Sequence, residues 1–460
     1  MPSLVKQVFA KKLTILNKED ILIWFMKVTF GDGNAARHEP HAFHQGHKVL
    51  DLMLRDKWIS DTTARTADAI ENRASSLISL SSKTEDQHVW ERLGKVEVVE
   101  KSTADANFYA LVVNFVGDII TPLLFGSAFM DNYPQCLEDL WVFDSGVHHL
   151  MTSLLAITPT ARRATAARTR MLKAISEWHS ALAATQRGED PGPRWADMSD
   201  VSEIMQIRVR EWEATKASMK LHTTNDMSVL WGANVNSNKN IFWMLLQIYS
   251  RQNLLSAIRA EISPYVHASL TESSQHTKLR FEIDELTKSC PLIKATFYET
   301  MRSNMSGIGI RSVAQDLTLT ESPSDALLFG KKRPQSYHIP AGSVLAISNG
   351  TMQQDPRLYP EPQLFDPNRF LFPRKDDPSK KEAVMRNLNT FGGGTYKCKG
   401  RTFAEKEILL FVAGILVLWD IEMPDGGAIK VPEMGLAGAS RSPKEDVRVR
   451  LRRREIGRLS

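Results

Sequence analysis

Phe391-Gly-Gly-Gly-Thr-Tyr-Lys-Cys398-Lys-Gly-Arg-Thr-Phe-Ala-Glu-Lys-Glu407 is the stretch from which the rest of the chain can be read. Three consecutive glycines are ill suited to a helix or strand interior, since each carries the full backbone entropy cost and packs nothing. They suit a sharp loop that a flat group can approach. After Cys398 a helix begins, and its apolar run Ile408–Trp419 is too short to cross a bilayer and reads as a buried core helix. Cys398 therefore precedes a helix N-terminus, where free N–H groups and the helix dipole favour an anion. Lys397, Lys399 and Arg401 add positive charge, and these conditions favour thiolate. A thiolate there could be a nucleophile, a redox thiol or a metal ligand. No histidine lies in the stretch to serve as its base. With three cysteines in all, a four-cysteine zinc site is excluded. Haem iron needs one axial thiolate and a flat surface to lie against.

Phe391, Gly394, Cys398, Gly400, Ala404 and Glu407 together resemble the cysteine-ligand loop and following helix of a cytochrome P450. The resemblance implies a mainly α fold with a smaller β portion, one haem-thiolate domain over residues 1–460, and Cys398 as axial ligand of haem b. It also implies Phe391, Gly394, Tyr396 and Gly400 around the cofactor. The family usually carries a basic residue two before the cysteine to hold a haem propionate, and Tyr396 stands there instead. A neutral hydrogen bond nets about 1 kcal/mol against ~1.5–3 for a charged one, so another cation is expected to hold that propionate.

Composition agrees with an ordinary globular chain: 42% hydrophobic and 24% charged, long enough at 460 residues for a large core. A net charge of +5 with no basic–aromatic run gives no reason to expect nucleic acid. The odd, sparse cysteines Cys136, Cys290 and Cys398 argue against a disulfide framework. The first residues show neither signal peptide nor long apolar run. The resembled family in eukaryotes sits on the endoplasmic-reticulum membrane facing the cytosol, usually through an N-terminal anchor. An anchorless, truncated chain is therefore the expectation, with its first sheet strands in doubt.

His38, His41, His44 and His47 recur every third residue, which would place metal ligands on one helical face. Pro40 and Gly46 interrupt that run, so a solvated loop and the start of the next helix are expected instead. From Lys48 to Leu182 the pattern is helical, and Gln186–Asp200 is a loop rich in Pro and Gly. The longest helix is expected from Asp226 to Ile262, with a polar middle, Gly232-Ala-Asn-Val-Asn-Ser-Asn-Lys-Asn240. Asn, Ser and Gly form helix poorly, so a loop between two helices is the competing reading. The resemblance favours one helix over the haem. Trp231-Gly-Ala-Asn-Val-Asn-Ser237 looks like the oxygen-side motif of the branch holding sterol 7α-hydroxylases and prostacyclin synthase. Asn236 takes the place of the usual acid and Ser237 that of the usual threonine.

Pro291–Arg302 carries Glu299 and Arg302 three apart on a helix, able to pair. The resemblance joins them to Arg369 in a buried network that supports the cysteine loop without touching substrate. Arg311–Leu319 and Tyr337–Ser348 read as strands, Leu371–Asn389 as a surface loop, and Val447–Arg454 as a terminal strand whose arginines form a solvated edge.

What the resemblance implies in function is insertion of one oxygen atom from O2 into a lipophilic substrate of terpenoid, steroid or polyketide type. NADPH would supply electrons through NADPH–cytochrome P450 reductase, since nothing here resembles a nucleotide loop. Lys397, Lys399, Arg401 and Lys406 suit an acidic donor. Trp231, Ala233, Ser306, Ile308 and Leu436 are expected to line the substrate site. The variant Lys-Cys-Lys-Gly-Arg resembles fungal secondary-metabolite members, and a monomer is expected. Asn236 cannot ionise, whereas Ser237 both donates and accepts. Two other functions stay open: a haem-thiolate isomerase that rearranges a substrate peroxide without O2 or reductase, and a haem- or lipid-binding protein without turnover.

Overall fold

The computed structural model describes residues 1–152, 155–270, 277–435 and 439–455. The chain opens with helices α1 (Pro2–Ala10), α2 (Glu19–Phe25), α3 (Ala35–His38), α4 (Pro40–Val49), α5 (Asp56–Arg73) and α6 (Val89–Leu93). A second group follows: α7 (Phe108–Phe125), α8 (Ser127–Asn132), α9 (Cys136–Met151), α10 (Pro159–Arg187) and α11 (Glu203–Ala214). Then come α12 (Met219–Tyr249), α13 (Gln252–Ile262), α14 (Ile283–Ser289), α15 (Pro291–Asn304), α16 (Pro323–Leu328), α17 (Asn349–Gln353) and α18 (Arg401–Leu418).

The β portion is small and peripheral. Strands β1 (Leu16–Asn17), β6 (Ile308–Val313) and β9 (Val344–Ser348) form one antiparallel sheet in the order β1-β6-β9. A four-stranded sheet runs β12 (Trp419–Glu422), β13 (Arg448–Arg453), β3 (Thr103–Asn107), β2 (Glu97–Glu100). Hairpins β4–β5 (Val266–Leu270 with Thr277–Phe281), β7–β8 (Leu317–Thr320 with Ser336–Ile339) and β10–β11 (Leu371–Pro373 with Lys381–Ala383) complete it.

The long helix α12 is the axis. Ser218 caps it by accepting from the Leu221 N–H, a side-chain oxygen satisfying a free first-turn donor. The helix runs unbroken through its polar middle, because the asparagines find partners inside the fold. Asn234 donates to the Thr121 hydroxyl on α7 at 3.2 Å, and Asn238 donates to the Val113 carbonyl at 2.9 Å. Buried amides bonded in this way offset their poor helix propensity. The single element expected to Ile262 is instead two. At Arg251 the backbone turns to φ −134°, ψ 91°, and the guanidinium holds the end of α12 through the Gln247 carbonyl at 3.0 Å.

Four further expectations are corrected. His41, His44 and His47 lie on a regular helix, α4, that passes through Gly46 because Trp212 occupies the space beside it. A Cβ at Gly46 would stand 1.7 Å from the Trp212 ring, so glycine is there for close approach. No cluster of three or more His, Cys, Asp or Glu groups suited to a metal ion occurs among the described residues. The span Lys48–Leu182 contains two short strands: β2 pairs with its neighbour β3, and β3 in turn pairs with β13, over three hundred residues away in sequence. β13 is an interior strand, not a solvated edge: Arg448 pairs with Glu97 at 2.8 Å and Arg450 with Asp105 at 2.8 Å, while Val449 and Leu451 fill the core. The segment Leu371–Asn389, expected as a surface loop, folds back as the β10–β11 hairpin.

α7 is the one helix among the described residues long and apolar enough to cross a membrane, and 72% of it is buried inside the fold.

Candidate functional site

The cysteine loop is a short 3-10 turn, Gly394–Tyr396, leading into α18. The Cys398 N–H donates to the Phe391 carbonyl at 2.9 Å and the Lys397 N–H to the Gly394 carbonyl at 3.2 Å, so Phe391 and Gly394 set the loop's shape. Gly394 holds φ +64°, a left-handed conformation that favours glycine. The glycines do admit a flat group, and in this structure it is the Phe9 ring of α1. A Cβ on Gly393 would lie 2.2 Å from Phe9, and one on Gly394 2.5 Å from the Phe9 carbonyl oxygen. Gly400, at the N-cap of α18, faces open space.

Of the three cysteines, Cys398 is exposed and the other two are buried. Burial pushes the Cys290 thiol up to about 12 and holds that of Cys136 higher still, which leaves both inert. Desolvation also raises Cys398, opposed by the Gly400 N–H, the Arg401 charge and the Lys18 charge. The net direction is the reverse of the one expected from the local charges. Part of that charge is engaged elsewhere: Lys399 pairs with Asp51 at 2.6 Å.

Two cations flank Tyr396. The Arg311 guanidinium on β6 lies 5.0 Å from the Tyr396 ring and donates to the Ile310 carbonyl at 2.8 Å. The Lys18 ammonium lies 4.4 Å from the same ring. Burial, then the Arg311 charge, pulls Lys18 down to about 8, and burial lowers Arg311. Neither has an ion-pair partner among the described residues. Two desolvated like charges without a counter-ion are costly, and an anion beside Tyr396 would relieve both. No feature of the sequence singled out Lys18 or Arg311, because only the fold brings residues 18, 311 and 396 together.

Past its first turns, the part of α12 from Val229 to Tyr249 is buried except at Trp231, Gly232, Ala233 and Asn236, and Gly232 faces open space. Asn236 Oδ1 accepts from the Ser440 N–H at 3.1 Å. Ser237 turns the other way, toward Glu407 of α18, which is 1% exposed. Trp231 is half-buried and donates to Asp144 on α9 at 3.0 Å, and Lys239 pairs with the same carboxylate at 2.5 Å. The Trp231 ring packs on Phe25 and Phe30, so it is partly a core residue.

Ser306 and Ile308 lie together at the start of β6, Ile308 59% exposed. The Ser306 N–H donates to the Ala439 carbonyl at 2.8 Å, which brings this strand to the same loop as Asn236. Leu436 lies outside the described residues.

Glu299 and Arg302 on α15 form a bidentate pair, both bonds 2.7 Å, wholly buried. Arg302 also donates to the Gln353 and Pro362 carbonyls at 2.9 Å. Glu299 accepts from the Asp366 N–H at 2.9 Å, and Arg369 lies 3.6 Å away. Every charge in the set thus has a partner, as a buried ion set requires.

The family described as Cytochrome P450 matches residues 84–447. A cytochrome P450 monooxygenase, fsoE, of Humicola fuscoatra is 26% identical over 446 residues, covering 90% of this chain and 71% of that protein. Prostacyclin synthase of Rattus norvegicus is 28% identical over 266 residues, covering 56% of this chain and 50% of its own length. A human 7-alpha-hydroxycholest-4-en-3-one 12-alpha-hydroxylase is 28% identical over 231 residues, 49% of this chain and 44% of its own. Among solved structures, the retinoic-acid-bound cyanobacterial CYP120A1 shares the fold with a TM-score of 0.58 at 17% identity, over 89% of this chain and 78% of that one.

Proposed function

This chain belongs to the cytochrome P450 family, and on that premise we propose that it is a haem-thiolate monooxygenase acting on a lipophilic small molecule. One atom of O2 enters a C–H or C=C bond, and the other leaves as water with two electrons and two protons. The observation that carries the reading is an exposed Cys398 thiol on the same loop as Tyr396, which two desolvated, unpaired cations flank. The residues present therefore fit haem b: the Cys398 thiolate would hold its iron, and Arg311 and Lys18 would pair with its carboxylates in the role Tyr396 cannot fill. Bound haem would supply the one-electron chemistry of O2, with the thiolate pushing electron density toward O–O cleavage.

The chain's own residues do the rest. The Glu299–Arg302–Arg369 set holds the segment Pro362–Arg369 that leads into the cysteine loop, and is structural. The Gly232–Ala233 surface, with Ser306 and Ile308, offers small and apolar walls suited to a terpenoid, steroid or polyketide skeleton. The fungal monooxygenases among its relatives support a place in secondary metabolism. A flavoprotein reductase is the electron donor, docking at exposed cations such as Lys397.

A second reading is favoured by the non-ionising Asn236, in a stretch that resembles the oxygen-side motif of prostacyclin synthases, one of which is among the relatives. On that reading the protein isomerises a substrate peroxide and uses neither O2 nor reductase. The test is the reduced carbon-monoxide difference spectrum, followed by turnover with and without reductase. A thiolate-type spectrum with reductase-dependent product supports the monooxygenase. Full turnover of an endoperoxide without reductase transfers the assignment to the isomerase.

A further inference from the structure

Arg441 is a half-buried cation on the loop that meets α12 and β6 together. On that loop the Ser440 N–H donates to Asn236 Oδ1 at 3.1 Å, and the Ala439 carbonyl accepts from the Ser306 N–H at 2.8 Å. The Arg441 backbone is fixed on both sides: its N–H donates to the Asn304 carbonyl at 3.2 Å, and its carbonyl accepts from the Trp243 indole at 2.7 Å. Its guanidinium Nε donates to the Ser306 hydroxyl at 3.3 Å, which sets the group at the start of β6, where Ile308 is exposed. Neither terminal amino group of the guanidinium has a hydrogen-bond or ion-pair partner among the described residues. The same corner holds two buried polar side chains in a like condition. The Ser440 hydroxyl and both ends of the Asn304 amide, each residue 0% exposed, have no partner among the described residues.

The other cations of residues 441–450 are neutralised: Lys444 by Glu433 at 2.5 Å, Arg448 by Glu97 at 2.8 Å and Arg450 by Asp105 at 2.8 Å. The acids of the neighbouring elements are engaged as well. Asp144 takes Trp231 and Lys239 of α12, and Asp446 takes the N–H groups of Tyr109 and Ala110. No carboxylate of the described residues therefore answers Arg441, although Ser306 and the backbone hold it in one place. A guanidinium held in this way is preorganised for a carboxylate, which can engage both terminal amino groups in two parallel charge-assisted bonds. Around it the walls are small or apolar, at Gly232, Ala233 and Ile308.

We propose that Arg441 anchors a carboxylate of the substrate, so that this protein acts on a lipophilic carboxylic acid. The proposal deepens the monooxygenase reading and rests on it. The carboxylate pairs with the terminal amino groups of Arg441, and the Ser440 hydroxyl and Asn304 amide add polar partners in the same corner. The apolar skeleton lies along Gly232 and Ala233 of α12 and against Ile308. An acid held at one end presents a fixed part of its skeleton to the reacting centre, so Arg441 sets both which substrates bind and how they lie. Ser306 acts through Arg441, as a positioning residue.

Isothermal titration calorimetry on the purified haem protein at pH 7.5 tests this with matched probes. Abietic acid and hexadecanoic acid are each compared with the corresponding primary alcohol, which keeps the skeleton and lacks the charge. Wild type should bind at least one acid about ten- to a hundred-fold more tightly than its alcohol, the factor that a charge-assisted pair supplies. Arg441→Leu should remove that preference and leave the alcohol's affinity at its wild-type value. Arg441→Lys keeps the charge without the paired donors, and its preference should fall between the two. Haem transfer from Arg441→Leu to apomyoglobin should match wild type. Acids bound no better than alcohols by wild type, no measurable binding of either acid, or a preference that survives Arg441→Leu would overturn the proposal. So would faster haem loss from Arg441→Leu, which would assign Arg441 to the haem carboxylates. If Arg441→Leu does not fold, Arg441→Lys decides, and an unchanged preference there overturns the proposal. Absence of a thiolate-type carbon-monoxide spectrum in wild type would instead strike the monooxygenase reading, whatever the calorimetry gives.

Discussion

Acid should loosen the helical half of this protein through one pair of histidines. His179 on α10 and His222 on α12 have ring centroids 3.8 Å apart, are 2% and 3% exposed, and leave Nε2 and Nδ1 respectively without a hydrogen-bond partner among the described residues. Around them lie Arg208 of α11, its buried partner Asp226 at 2.8 Å, and Glu39 before α4. Burial, then the Arg208 charge, holds His179 down at about 4; burial, then His179, does the same to His222. Both rings are neutral when folded and titrate near their ordinary value when unfolded. Stability is therefore full above that ordinary value and is lost as pH falls toward 4. A depression of this size corresponds to about 3 kcal/mol per ring when complete, and to about 2 kcal/mol per ring at pH 5. The assay is urea unfolding followed by circular dichroism at pH 7.5 and pH 5.0, on wild type and on His179→Leu/His222→Leu. Each protein is compared with itself, so the packing cost of the substitutions and the titration of other carboxyls cancel. Wild type should lose roughly 4 kcal/mol more than the double variant over that interval. Equal losses would refute the argument, because they would mean that these rings are no more reluctant to charge in the fold than in the open chain.

Three further outcomes are expected. Cys398→Ala should abolish the thiolate-type carbon-monoxide spectrum, whereas Cys136→Ala and Cys290→Ala should retain it, since both are buried and inert. Arg311→Ala and Lys18→Ala should each cost a charge-assisted bond of ~1.5–3 kcal/mol to the haem carboxylates; haem transfer to apomyoglobin should speed up about ten- to a hundred-fold, with Tyr396→Phe close to wild type. Glu299→Ala leaves Arg302 buried and uncompensated at about 3–5 kcal/mol, so the yield of folded, haem-loaded protein should collapse; a folded variant lacking only activity would count against a structural role.

What could be read from the sequence was local. The Phe391–Glu407 stretch carries its meaning in consecutive residues, as does the Glu299–Arg302 spacing, which the structure closes into a two-bond pair. The features that escaped are made by contacts across long stretches of chain. Lys18 and Arg311 meet at Tyr396 only after folding. Gly46 reads as a helix breaker until Trp212 is seen to need its missing side chain. The arginines of β13 read as an exposed edge because Glu97 and Asp105, which neutralise them, arrive from the far end of the sequence.

The polar middle of α12 shows why fold and chemistry were hard to separate from sequence alone. Its residues divide by helix face, and each face has a different partner. Asn234 and Asn238 bond to α7, Trp231 and Lys239 converge on Asp144, and Asn236 takes the Ser440 N–H. The loop that carries Ser440 is held from two more sides, by Trp243 donating to the Arg441 carbonyl at 2.7 Å and by Ser306 at Ala439. Asn236 thus holds the Ser440 loop against the open strip of α12, a task that an amide performs without charge.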